Sequence, residues 1–399
     1  FMPWLTATAF LHSVMVQERR RMLKLWNITL VIMTFGLTLF GTFLTRSGVI
    51  ASVHAFTQGT IGVFFLSFLA LVLLLALGLV ALRWDALRAQ GEVDSVVSRV
   101  SAFLLNNVFL VAATFTVFFG TVFPLLSEAV RGVKVSVGAP FFNQVNVPLF
   151  LALIFLMGVG PLIAWRRASP ENLRRNFLWP VAVGLLAAAA AFALGVRSLL
   201  AVLAFGTTLF VAAAIALDFA RATRARTRLG ERLLPAMGGL LLRHNRRYGG
   251  FVVHLGILVI AVGVLGSQAW SVQREMTLHR GEAAELAGYR VRFDGLTATE
   301  ESNHFKVAGA FTVSNGRVLG VLRPAKKFYP QEQSPIAYVD YRLGLKEDVY
   351  LVLGDFARDG SQATVKLQVN RLVSWIWIGG LVLTLGALLA ILPERRRAA

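Results

Sequence analysis

Two histidines, His12 and His254, lie within apolar stretches that are long enough to cross a membrane. Each is seven residues from an arginine that flanks its stretch, Arg19 and Arg247 respectively. At about 1.5 Å of rise per helical residue, both imidazoles lie roughly 10 Å in from the same membrane face. An ionisable side chain at this depth indicates a functional site, and histidine is a usual axial ligand of haem. Two imidazoles at one depth can share one iron.

Small residues accompany both histidines. Thr8 and Ala9 lie about one turn before the first, and Gly250 and Gly256 flank the second. Small side chains let a flat macrocycle approach the helix backbone. They equally favour close packing of helices, in which case each histidine would hydrogen-bond between helices. The pattern alone leaves both interpretations open.

A third histidine, His54, lies in a segment between two apolar stretches and follows Arg46, which stands at the end of its predicted helix. A guanidinium at that end can pair with a carboxylate such as a haem propionate. Apolar side chains that could support the edge of a macrocycle lie around it: Val49, Ile50, Val53 and Phe56. The other interpretation is a loop histidine beside an interfacial arginine.

The composition is that of a polytopic membrane protein. Apolar residues make up 56% of the 399, and the mean hydropathy is +0.66. Runs of about 20 apolar residues match the thickness of a bilayer. Nine helical spans are predicted, of which the first is short: 2–16, 25–44, 61–82, 102–126, 148–165, 177–196, 199–219, 251–267 and 372–392.

The net charge of +19 follows the predicted topology and does not indicate a nucleic-acid partner. Five segments hold 22 Lys and Arg residues: 17–24, 83–99, 166–176, 220–249 and 394–399. The alternate short loops, at 46–60, 127–145 and 197, hold four. The positive-inside rule therefore places the basic segments in the cytoplasm. The basic run 221–247 is either a solvated loop or a contact with anionic lipid.

One long polar stretch, 268–371, lies on the opposite side in this topology. Its 14 basic and 12 acidic residues are nearly balanced, as in an ordinary soluble domain. Strands are predicted at 289–293, 307–313, 337–341, 349–353 and 363–369, with hairpin turns at Asn315-Gly316 and Asp359-Gly360. We therefore expect an all-α polytopic bundle, with a small all-β extracytoplasmic domain inserted before the last helix. The domains would be the bundle at 1–267, the β domain at 268–371, and the last helix with a short basic tail at 372–399.

Several enzyme classes are disfavoured. The chain has no cysteine and lacks a phosphate-binding loop, a His-Glu-x-x-His pair and a Gly-x-Ser-x-Gly elbow. Acidic residues are almost confined to loops, which disfavours a proton-relay transporter. The remaining histidines are predicted to be solvated and without a site: His244, His279 and His304.

Five segments together resemble a known family. They are Phe-Met-Pro-Trp-Leu-Thr with Phe-Leu-His-Ser (1–6 and 10–13), Gly-Thr-Phe-Leu-Thr-Arg-Ser-Gly with Ser-Val-His-Ala-Phe (41–48 and 52–56), and 246–256, 271–275 and 373–381. Together they resemble the CcmF-type cytochrome c haem lyases of the bacterial cytochrome c maturation system, along the whole chain.

The resemblance implies roles for the residues above. His12 and His254 match the two axial ligands of a membrane b-type haem, and His54 matches one of a pair of external ligands for the haem being delivered. With Arg46, His54 would form this chain's share of the catalytic site. The implied partners are a membrane-anchored haem chaperone and a complex that presents the Cys-x-x-Cys-His of apocytochrome c. The implied location is the bacterial inner membrane, with the β domain in the periplasm.

In the family, a tryptophan-rich haem-binding segment precedes the Phe-Met-Pro-Trp motif, and the second external histidine lies earlier still. Neither is in these 399 residues, so we expect the chain to be the C-terminal part of a longer lyase. The implied reaction joins apocytochrome thiols to the haem vinyl groups, with the membrane haem as electron carrier and a quinol as one candidate reductant. Two other functions stay open, a quinol-linked b-haem electron-transfer subunit and a haem exporter. The β domain would dock either partner or cap the bundle.

Overall fold

A computed structural model describes residues 1–47, 61–88, 95–163, 169–330 and 334–393. Helices fill the chain as far as residue 270, a β region follows, and one helix completes it, which confirms the predicted fold class. The helices, numbered in chain order, are α1 Met2–Arg20, α2 Lys24–Ser47, α3 Ile61–Leu82, α4 Trp84–Leu87, α5 Arg99–Arg131, α6 Ala139–Val159, α7 Pro170–Ala193, α8 Leu199–Thr227, α9 Leu233–Arg243, α10 Asn245–Trp270 and α11 Ser374–Ile391.

Eight helices of the described chain are long and apolar enough to cross a membrane, against the nine spans expected: α2, α3, α5, α6, α7, α8, α10 and α11. The first expected span does form a helix, α1, but Glu18, Arg19 and Arg20 at its end lower its hydropathy. The expected start of α6 at Pro148 is wrong. Proline is favoured in a first helical turn, and Pro140 takes that place while Pro148 lies inside the helix.

The described residues form two compact units, Phe1–Ala188 with Leu209–Phe219, and Ala189–Thr208 with Ala220–Ala399. In the first unit, α1 packs against α2 and α5 around Leu5, Leu30 and Leu110. Trp26 Nε1 donates to Asn107 Oδ1 at 3.0 Å, between α2 and α5. Interhelical hydrogen bonds and close packing are what join helices in lipid, where apolar burial gives no advantage.

In the second unit, α10 and α11 pack antiparallel through glycines. A Cβ atom at Gly256 would lie 2.5 Å from Leu383 N, and one at Gly379 would lie 2.6 Å from Gly256 O. Gly249 and Gly263, seven residues to either side of Gly256, face α11 in the same way. Because backbone atoms cannot move aside, only glycine permits this approach.

The β region is a sandwich of two sheets. The strands are β1 Val272–His279, β2 Ala283–Leu286, β3 Tyr289–Glu301, β4 His304–Asn315, β5 Arg317–Leu322, β6 Ala325–Phe328, β7 Ile336–Tyr338, β8 Asp340–Arg342, β9 Glu347–Phe356 and β10 Gln362–Arg371. The strand orders of the two sheets are β1-β10-β9-β8 and β2-β3-β4-β6-β7, with β5 paired to β4. Alternate residues of both sheets fill one core, which includes Phe293, Phe311 and Leu351.

Both predicted hairpin turns are present. Gly316 joins β4 to β5 with φ 67°, and Gly360 lies between β9 and β10 with φ 73°, a conformation that favours glycine. At the second turn, Asp359 accepts from the backbone N and the hydroxyl of Ser361, and these hydrogen bonds lower the pKa of the Asp359 carboxyl.

Candidate functional site

The imidazole of His12 is held by the backbone of its own helix. Its Nδ1 donates to Thr8 O at 2.8 Å, one turn earlier in α1, and its ring centroid lies 5.9 Å from that of Phe103 on α5. A carbonyl oxygen only accepts, so Nδ1 carries the proton and Nε2 keeps the lone pair. A hydrogen bond of this kind orients metal-ligating histidines and fixes their tautomer. Ligation of iron by His12 through Nε2 stays a prediction.

The small residues before His12 serve different purposes. Ala9 is fully buried in the core that joins α1 to α2 and α5, so its size is used for helix packing. Thr8 is half-buried, and its hydroxyl donates to Trp4 O at 2.7 Å. Of the two interpretations that the sequence left open for these small residues, helix packing therefore applies to Ala9.

His254 lies on α10, away from the helix contact with α11. It is two residues from Gly256, about 160° around the axis of a helix with 3.6 residues per turn. Gly256 is thus used for packing against α11 and leaves no room for a macrocycle. Gly250, one turn before His254 and on the same side, has no atom within 4 Å of the position of a Cβ. Its small size leaves open space beside the imidazole.

A haem needs fewer ligands from protein than a bare metal ion does. Within the described residues, no group of three or more His, Cys, Asp or Glu side chains could hold a metal. A haem iron takes four ligands from its porphyrin and needs only two from protein. His12 belongs to the first unit and His254 to the second, so their sharing of one iron stays a prediction.

The other predicted site lies at the end of α2. Arg46 is in the last turn of this helix, as expected, and its side chain is exposed. His54 falls within 48–60, outside the described residues, as do the apolar residues predicted to surround it. The catalytic roles of Arg46 and His54 stay predictions.

His304 is not the solvated histidine that the sequence suggested. The residue is 7% exposed, and its ring stacks on Tyr329 with the ring centroids 4.9 Å apart. Its Nδ1 lies 2.7 Å from Asn303 Oδ1, and its Nε2 lies 3.3 Å from a carboxylate oxygen of Glu301. The buried positions of β4 from Val307 onward are odd-numbered, so strand alternation could not have predicted a buried residue 304. His244 and His279 are exposed, as expected.

Comparison with known proteins shows what the chain is similar to. The family described as the CcmF C-terminal beta-sandwich matches residues 269–371, which contain all ten strands. The cytochrome c-type biogenesis protein CcmF of Pseudomonas aeruginosa is 38% identical over 403 residues, covering 100% of this chain and 59% of the relative. The chain is related over its whole length to the CcmF-type proteins. CcmF of Escherichia coli is 34% identical over 411 residues, covering 100% of this chain and 60% of its own length.

A solved structure extends the CcmF relationship to the fold. It is titled "Cytochrome c Heme Lyase CcmF", is 35% identical in sequence, and superposes with a TM-score of 0.75. The match covers 98% of this chain and 59% of that one. This chain thus spans about three fifths of the length of the CcmF proteins that it matches. The resemblance carried by the sequence motifs is confirmed, and with eight apolar helices the chain is a multi-pass membrane protein.

Proposed function

We propose that this chain is part of a bacterial cytochrome c haem lyase in the inner membrane, with its β domain in the periplasm. The observation that carries the proposal is the match of 98% of the chain to a solved structure named as such a lyase. In this role it receives haem from a membrane-anchored chaperone and attaches it to the Cys-x-x-Cys-His of apocytochrome c. A separate chaperone complex presents the apocytochrome thiols.

In this proposal His12 and His254 hold a b-type haem within the membrane. The haem, when bound, supplies one-electron transfer to the delivered haem, and a quinol is its candidate reductant. The chain's own contribution at this site is orientation. Thr8 O keeps the His12 lone pair on Nε2, and Gly250, one turn before His254, leaves open space at the position of its Cβ. Both residues thereby reduce the reorganisation needed for ligation.

The bond-forming site is external, and this chain contributes to it Arg46, in the last turn of α2, and His54. Arg46 pairs with a propionate of the delivered haem, and the imidazole of His54 binds its iron. Each apocytochrome thiol then adds across one vinyl group, with sulfur bonding to one carbon and the thiol hydrogen ending on the other. The chain has no cysteine, so it takes no part as a thiol nucleophile, and it acts by alignment.

The test replaces His54 by alanine in the full-length protein, in cells that make cytochrome c. We expect the amount of covalently haem-stained cytochrome c to fall strongly, because the iron of the delivered haem loses a ligand. The matched control is His279→Ala, an exposed histidine of β1, which should leave attachment at the parental level. Undiminished attachment in the His54 variant would contradict the lyase role assigned to this residue.

A further inference from the structure

The loop between β8 and β9, residues 343–346, is attached to the first turn of α11. Trp375 Nε1 donates to Leu345 O at 2.8 Å, and Leu372 N donates to Lys346 O at 3.0 Å. Because α11 is one of the membrane-spanning helices, its first turn lies at a membrane surface. The loop is therefore held at the same level.

A buried carboxylate makes this attachment firm. Asp348, which is fully buried, accepts from Gly344 N at 2.7 Å and from the hydroxyl of Ser374 at 3.1 Å. Ser374 is the first residue of α11, and Gly344 lies within the loop. Charge-assisted hydrogen bonds of a buried group are among the stronger ones in proteins. Loop and helix thus form one structural element.

The loop exposes leucines where a soluble domain would carry polar residues. Leu343 is 57% exposed and Leu345 is 71% exposed. Trp377, one turn into α11, is 74% exposed, and tryptophan at a helix end is typical of the lipid headgroup region. The apolar side chains of the loop thus continue the lipid-facing surface of α11 onto the β domain.

Cationic side chains stand beside these leucines. Arg317 and Arg342 line a concavity of about 390 Å³ that also includes Leu343 and Gly344. The one acidic residue in its lining, Glu347, lies 3.5 Å from the guanidinium of Arg371, which offsets its charge. The concavity is therefore positive, and guanidinium groups bind phosphate well.

We propose that residues 343–346 with Arg317 and Arg342 form a lipid-binding surface of the β domain. Leu343 and Leu345 enter the boundary between headgroups and acyl chains, and the two guanidinium groups bind the phosphates of anionic lipid headgroups. Leucine beside arginine is the pattern of interfacial segments, and continuity with α11 favours lipid over an acidic protein. This contact sets the orientation of the sandwich on the membrane and does not depend on the haem chemistry.

The absence of cysteine allows a direct measurement of depth. A nitroxide is attached at Leu345→Cys in the full chain, reconstituted in nanodiscs of phosphatidylcholine and phosphatidylglycerol. Its collisions with oxygen, which partitions into lipid, are compared with collisions with a water-soluble nickel chelate. The control is Arg358→Cys, exposed near the Asp359-Gly360 turn at the opposite end of β10. We expect the oxygen-to-nickel ratio to be severalfold higher at 345.

Equal ratios at the two positions would overturn the proposal, and so would a label at 345 that neither reagent reaches, since a protein would then cover the loop.

The arginines are tested in the Leu345→Cys background. Anionic lipid should lower nickel access at 345 relative to phosphatidylcholine alone. Arg317→Gln with Arg342→Gln should abolish this difference, and Arg358→Gln should preserve it. A difference that survives the double substitution would show that these arginines do not bind the headgroups. An unchanged near-ultraviolet circular dichroism spectrum verifies that each variant is folded.

Discussion

A single backbone carbonyl fixes the tautomer of the neutral His12 imidazole. The bond from Nδ1 to Thr8 O leaves the lone pair on Nε2, whatever the final ligand is. At His254 the corresponding feature is steric, because Gly250 leaves the space beside the imidazole open. The two residues thus have features expected of axial ligands, although they belong to different units.

We expect purified full-length protein to show a low-spin b-type visible spectrum that His12→Ala and His254→Ala each abolish or strongly weaken. Losing one of two axial ligands leaves the iron open to water or vacant on one side, which shifts its spin state. His279→Ala serves as the control and should keep the parental spectrum. Persistence of the low-spin signal in both membrane variants would exclude the axial assignment.

A tyrosine in the β domain makes the stability of the sandwich decrease at alkaline pH. Burial raises the pKa of the Tyr289 phenol, and so does Glu347, whose Oε1 accepts from the phenol at 3.1 Å. With the folded pKa above the unfolded value of about 10, the neutral phenol favours the folded state. This stabilisation is complete below about pH 10 and is lost as the pH rises through the folded pKa.

Tyr289→Phe should therefore flatten the decline in sandwich stability above about pH 10, measured by near-ultraviolet circular dichroism during chemical unfolding. Glu347→Gln should give an intermediate profile, because burial of the phenol remains while the charge is removed. An unaltered alkaline decline in the phenylalanine variant would show that another group is responsible.

Sequence reasoning singled out His12 and His254 because intramembrane imidazoles are rare and costly. It could not assign the neighbouring glycines. Gly250 and Gly256 look alike in sequence, yet one leaves open space and the other contacts the backbone of α11, some 120 residues away in sequence. It also misjudged His304, because Tyr329, which buries the imidazole, is distant in sequence. Tertiary contacts of this kind leave no local pattern.

At the scale of elements, α10 and α11 make the most extensive helix contact of the second unit. Glycines at a spacing of seven residues bring the two backbones into direct contact. The sequence predicted both helices. It placed α10 at 251–267, the limits of the apolar run, whereas the helix spans Asn245–Trp270. An apolar run marks only the part of a helix that lies within the membrane. The helix continues beyond the membrane where its polar ends find partners.

Two adjacent glycines of α11 offer a matched test of this contact. A Cβ at Gly379 would lie 2.6 Å from Gly256 O, whereas a Cβ at Gly380 meets nothing within 4 Å. We expect Gly379→Ala to destabilise the protein by about 1–3 kcal/mol through overpacking, and Gly380→Ala to be neutral or slightly stabilising. Thermal unfolding in detergent measures both. Equal effects of the two substitutions would contradict the packing argument.

At the scale of the molecule, the β domain is an insertion between two antiparallel membrane helices. Trp270 ends α10 and Ser374 begins α11, so both connections to the sandwich leave the membrane on one side. The hydrogen bond from Arg371 N to Ser271 Oγ joins these two connections at 3.0 Å. The strands could be predicted because they alternate, and the hairpins because Asn-Gly and Asp-Gly have few alternatives.

Charge predicts the side on which the sandwich lies. Residues 220–249, which run from the last turns of α8 into the first turn of α10, hold eight arginines, and the positive-inside rule predicts that such a segment stays in the cytoplasm. The cysteine-free chain again permits a direct assay in intact cells, with a maleimide that does not cross membranes. Arg358→Cys in the sandwich should react before permeabilisation. Leu229→Cys, which is exposed in the basic segment, should react only afterwards. The reverse order would place the sandwich in the cytoplasm and contradict its proposed periplasmic location. The sandwich could not then take part in assembling cytochrome c at the outer face.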